Sequence, residues 1–145
     1  LGDLTARAVA EARGSELTES SSSRARPYRA ILSVKMVTSA GERWVEGIMS
    51  PTGPRLVWLN GVPVDTPLTG ALILMANTDK PGVIGELGTI LGRHGINIAN
   101  FTLGRSESGA VGVLNVDEPG DAKGDDGIKA LRAVSGIKEA WLVRV

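Results

Sequence analysis

Asn77 and Asp79 stand two residues apart, directly ahead of Lys80-Pro81-Gly82-Val83-Ile84-Gly85, and this is where residue types and spacing offer chemistry. A carboxylate can accept from an ammonium group, and a carboxamide can both donate and accept. The first N–H groups of a helix have no partner within it and favour an anion. Asn77 and Asp79 beside such a helix start make a place to hold a small polar ligand. Asp79 also has a plainer reading, as the cap of the helix's first turn. Both stay open from the sequence alone.

The elements that must position these residues follow from periodicity. Proline suits the first turn of a helix, so the helix is expected over Pro81 to His94. Val83, Leu87, Ile90 and Leu91 fall at i, i+4, i+7 and i+8, one apolar face. Gly95 stops the helix, and Ile96 and Ile98 alternate into a strand. Glycines 82, 85, 88 and 92 lie three or four apart. They read as sites of close helix packing, since their spacing is not the dinucleotide fingerprint and no Lys-Ser/Thr follows. His94, the single histidine, meets the negative end of the helix dipole, with no partner motif for catalysis.

Composition narrows the function further. The 145 residues have room for one ordinary domain or two small ones. Sixteen basic residues balance sixteen acidic ones, without the basic excess that nucleic acid asks for. No cysteine is present, which removes disulfides, thiolate metal sites and cysteine nucleophiles. No apolar run approaches the roughly 20 residues that span a bilayer. No metal site and no catalytic constellation is expected. The chain starts at Leu1 and reads as a piece of a longer, cytoplasmic protein.

Taken in order, residues 1–13 read as a helix, and Ser15 to Pro27, with its serine run, as a solvated loop. Tyr28 to about Val37 alternates as a strand, Gly41 turns, and strands follow around Trp44–Met49 and Leu56–Leu59. Asn60-Gly61 is a strong two-residue hairpin signal. Val62-Pro63-Val64 returns as an edge strand, because proline lacks the ladder N–H. Arg29, Lys35, Arg43 and Arg55 could form a phosphate site, but alternation turns basic groups outward anyway. Asp65 to Gly70 marks the boundary, giving a first segment over 1–66, a linker over 67–70 and a second domain over 71–145. That domain reads as strand, helix, strand (to Arg105), a hairpin turn at Ser106–Gly109, strand, a helix capped by Asp125 or Asp126, and a last strand with Trp141 and Val143 on one face. The order is βαββαβ, ferredoxin-like, with one sheet face left bare. The fold class is α+β, with a smaller α+β segment of three or four antiparallel strands in front. That segment is expected to lean on further sequence or a partner.

The run Asp79-Lys80-Pro81-Gly82-Val83-Ile84-Gly85 followed by Gly95-Ile96-Asn97-Ile98-Ala99 resembles the signature of ACT domains, the small-molecule regulatory modules of amino-acid metabolism. With Gly88 to Gly92 and Leu103-Gly104-Arg105, it is most similar to the C-terminal end of bacterial D-3-phosphoglycerate dehydrogenases. Leu4 to Gly14, Glu19-Ser20 and Leu59-Asn60-Gly61 resemble part of the intervening, allosteric substrate-binding domain of the long form. The resemblance implies a regulatory and oligomerisation part without its own catalysis, whose parent is an NAD-dependent oxidoreductase of serine biosynthesis, with catalytic domains outside this chain. It implies L-serine or another amino acid bound at a dimer interface made by edge strands. Asn97 matches the asparagine that opens the second strand, and Asp79 a position held by asparagine or aspartate. Backbone N–H groups of Gly82, Val83 and Ile84 would meet the ligand carboxylate. No cofactor is implied for this part itself.

Asn77 falls where related enzymes carry histidine or tyrosine. That departure supports a second reading, a purely structural assembly module with no effector. A third parent, an iron–sulfur L-serine dehydratase, carries similar regulatory domains.

Overall fold

The computed structural model describes residues 16–21, 31–38, 41–107, 109–117 and 121–145. The helix expected over 1–13 lies outside them. The chain divides into two compact units, residues 1–68 with Val145, and residues 69–144.

The first unit carries five antiparallel strands in sequential order: β1 (Glu16–Ser21), β2 (Ile31–Thr38), β3 (Gly41–Ser50), β4 (Gly53–Leu59) and β5 (Val62–Pro67). This is one or two strands more than expected. The serine-rich Glu16–Ser21 reads as loop because it lacks apolar alternation, yet its backbone pairs with β2 from Glu16 opposite Val37 to Ser21 opposite Leu32. Gly41 opens β3 and pairs with Thr38, the last residue of β2. Asn60 and Gly61 both have positive φ, 52° and 77°. Leu59 pairs with Val62 across them, so the predicted two-residue hairpin forms. The Asn60 side chain also accepts from the Trp44 N–H at 2.9 Å, tying the turn to β3. Along β5, Val62, Val64 and Thr66 are buried while Pro63, Asp65 and Pro67 are exposed. β5 lies at the sheet edge, as its proline requires. It runs through Pro67, so 68–70 alone lie between strands.

The second unit is the predicted βαββαβ. Its strands are β6 (Ala71–Asn77), β7 (Ile98–Ser106), β8 (Gly109–Val116) and β9 (Ile137–Arg144), ordered β7-β8-β6-β9 and antiparallel throughout. Its helices are α1 (Val83–Arg93) and α2 (Asp121–Arg132). One core joins Ile73, Met75 and Leu114 of the sheet to Val83, Leu87 and Leu91 of α1 and to Ile128 and Leu131 of α2. The α1 face is therefore the one its spacing predicted, with Ile90 partly buried against the core. Gly95 has φ 67°, and the Ile96 N–H donates back to the Leu91 carbonyl at 2.9 Å, closing the helix end. α2 begins at Asp121, so Asp125 and Asp126 lie within it and do not cap it.

The sheet face away from the helices carries the apolar side chains of Leu72, Leu74, Val111 and Val113. Trp141 lies opposite Leu74 and Val143 opposite Leu72 on that face. Its apolar character makes closure favourable, since each fully buried side chain of this kind contributes about 1.5–3 kcal/mol.

Candidate functional site

The turn between β6 and α1 holds most of the predicted site residues. Asn77 is the last residue of β6 and 2% exposed. It pairs with Ala110 of β8, which in turn pairs with Arg105 of β7. Directly paired residues project to the same face, so Asn77 and Arg105 share one rung on the helix side. The turn is anchored from behind by the Thr78 N–H, which donates to the Gly136 carbonyl at 2.9 Å.

Asp79 does not cap the helix. The N-cap is Gly82, at φ 89° and ψ −21°, with no side-chain capping bond. Its left-handed backbone favours glycine, and it places Pro81 before the helix instead of in its first turn. The Asp79 carboxylate instead accepts from Arg105 Nε at 2.9 Å. A residue 26 positions downstream thus takes the oxygen that local reasoning gave to the helix.

Asn77 carries the other unusual feature. Its Nδ2 donates to the neighbouring Thr78 carbonyl at 2.9 Å. Its Oδ1 is closed from solvent and accepts no hydrogen bond among the described residues. Turning the amide over would set its oxygen against the Thr78 carbonyl, so the orphan is the acceptor. Such an unmade bond costs about 1–3 kcal/mol.

The side chains of Val83 and Ile84 belong to the core, the first buried and the second packed against it. Only their backbones, with that of Gly82, can serve a ligand. Asn97 sits elsewhere. It precedes β7, whose Ile98 pairs with Val116, and Val116 also faces Ala71 at the start of β6. Asn77 and Asn97 are therefore at opposite ends of one sheet, about 20 Å apart at strand spacing over seven residues. Asn97 Nδ2 donates to Asp117 Oδ2 at 2.8 Å, and its carbonyl accepts from the Asp117 N–H at 3.0 Å. Within one chain, Asn97 is not brought to Asn77 and Asp79.

Arg105 is the residue that sequence reasoning left without a role. Its parity in β7 was readable, but its rung-mate depends on the β7–β8–β6 register, which includes a shift between Ile98 and Asn100. His94 ends α1 with Nδ1 2.9 Å from the Ile90 carbonyl, consistent with its structural reading. Among the described residues no group of His, Asp and Glu could hold a metal ion, and no helix is long and apolar enough to cross a membrane.

The ACT domain family profile matches residues 71–136. The chain is 35% identical over 115 residues to the D-3-phosphoglycerate dehydrogenase of Bacillus subtilis, covering 79% of this chain and 22% of that protein. It is 32% identical over 120 residues to the one of Archaeoglobus fulgidus, covering 80% and 23%. Against the Synechocystis enzyme of the same name it is 27% identical over 139 residues, covering 94% and 24%. The chain thus spans about a quarter of the length of these relatives. Residues 71–136 match the ACT domain family, and most of the chain is similar to D-3-phosphoglycerate dehydrogenases over about a quarter of their length.

Proposed function

We propose that this chain is the regulatory and assembly part of a D-3-phosphoglycerate dehydrogenase, and that its ACT domain binds a free amino acid, L-serine first among them, between two copies. The NAD-dependent chemistry of serine synthesis belongs to catalytic domains outside this chain, and the cytoplasm is its place of work. The first unit is part of the intervening, allosteric substrate-binding domain. The relatives' names favour this parent over an iron–sulfur dehydratase.

The observation that carries the reading is Asn77 Oδ1, a buried acceptor without a donor, on the same rung as Arg105 and two residues from Asp79. An amino acid brings an ammonium donor for the accessible Asp79 carboxylate beside it. Its carboxylate can meet the backbone N–H groups of Gly82, Val83 and Ile84 at the start of α1.

The edges support a second copy. β5 carries Pro63, Asp65 and Pro67 outward, two of them without an N–H, devices that discourage pairing. At β9, Arg132 Nε already occupies the Ala140 carbonyl at 3.0 Å. β7 has no proline, and its one charged residue is Arg105. Antiparallel pairing of β7 with its own copy about a two-fold axis sets the start of one strand against the end of the other. Asn97 of the second copy then approaches Arg105 and the Asp79 turn of the first. Ligand and interface stabilise each other, by about 1–3 kcal/mol in couplings of this kind.

A melting scan of the chain against L-serine, glycine and the other amino acids tests this. A ligand at about 100 times its Kd should add roughly 2.7 kcal/mol to stability, with sedimentation showing a dimer or larger. The same oligomer with no response to any amino acid leaves an assembly module only.

A further inference from the structure

We infer that Arg105 joins the N–H groups at the start of α1 in binding the effector's carboxylate, and that the Asp79–Arg105 pair restricts the site to zwitterions. This rests on the reading that the turn at Asn77 and Asp79 is the effector site.

Asp79 and Arg105 come from different elements, the turn before α1 and the end of edge strand β7, and meet through one contact, Nε to Oδ2 at 2.9 Å. A guanidinium has five N–H donors in a planar fork, of which this contact uses one. The Arg105 side chain is 70% exposed and that of Asp79 36%. Both groups therefore stay accessible while paired. An accessible pair of opposite charges offers a carboxylate-binding fork on one side and an ammonium acceptor on the other. A zwitterion laid across it places each of its charges on the opposite one.

A ligand with one charge fares worse. An amine without a carboxylate competes with Arg105 for Asp79 and leaves the guanidinium without an anion. An acid without an ammonium competes with Asp79 for Arg105 and leaves the Asp79 carboxylate without a cation. Arg105 also lies at the end of the unprotected edge β7, where a carboxylate held by its fork would order the strand end against a second copy.

The test is calorimetric titration of the whole 145-residue chain and of R105Q and R105K with each proteinogenic amino acid. For whichever binds tightest, the amine lacking its carboxylate and the acid lacking its ammonium are titrated too; for L-serine these are ethanolamine and 3-hydroxypropionate. The unchanged chain should bind the amino acid at least tenfold tighter than either single-charge analogue. R105Q should lose at least tenfold for the amino acid and nothing for the amine, so that the preference between them collapses. R105K, which keeps the charge but not the fork, should lose less. If R105Q binds the amino acid as tightly as the unchanged chain, the start of α1 holds the carboxylate alone, this inference is overturned and the effector site stands. If the unchanged chain binds no amino acid, both fall. Should R105Q fail to fold, R105K decides: full affinity for the amino acid overturns the inference, and a several-fold loss specific to the amino acid supports it.

Discussion

The two helices of the ACT domain lie on one face of one sheet, and both contain glycine, for different reasons. In α2, a Cβ added at Gly127 would lie 2.6 Å from Ile96 Cδ1. A side chain there would have to displace the end of Ile96. In α1, a Cβ added at Gly85, Gly88 or Gly92 would meet nothing within 4 Å. The close packing expected for these three does not occur within the chain. Each costs the helix about 1 kcal/mol relative to alanine. The helix that begins at the candidate site therefore carries a local cost that the described residues do not repay, while α2 carries one that its packing explains. Glycine spacing alone could not separate the two cases.

Three substitutions sharpen that contrast. Leu91 is fully buried on the inner side of α1, so Leu91→Ala should lower unfolding free energy by about 2–5 kcal/mol in denaturant titration. Gly127→Ala comes next. It forces Ile96 or the helix to shift and should cost about 1–3 kcal/mol by the same measurement; a neutral result would show that α2 sits further from Ile96 than described. The smallest effect has the opposite sign. Gly92→Ala, one residue from Leu91 but on the open side, should stabilise the fold by about 0.5–1 kcal/mol. A loss of stability there would mean that the outer side of α1 is covered by something, and sedimentation of the variant would show whether a second copy does the covering.

Local signals were legible. The Asn60-Gly61 hairpin, the stop at Gly95 and the α1 core face each depend on a few neighbouring residues, and each forms as its residue types predict. The βαββαβ order followed from the same signals laid end to end. What was missed involves partners distant in sequence. Ser20 and Ser21 enter a strand because β2 supplies hydrogen bonds that their own side chains do not announce. Asp79 leaves the helix start because Arg105 reaches it from 26 residues away.

For the candidate site, residue types alone specified a turn with a carboxylate, a carboxamide and a helix start, which is enough to name the chemistry it can do. Strand register, which propensities do not encode, decided the rest. It placed Arg105 on the rung of Asn77 and put Asn97 at the far end of the sheet. Shifting an antiparallel pairing by one residue reverses which face every side chain occupies, so which charges meet is settled only when the strands have found their partners.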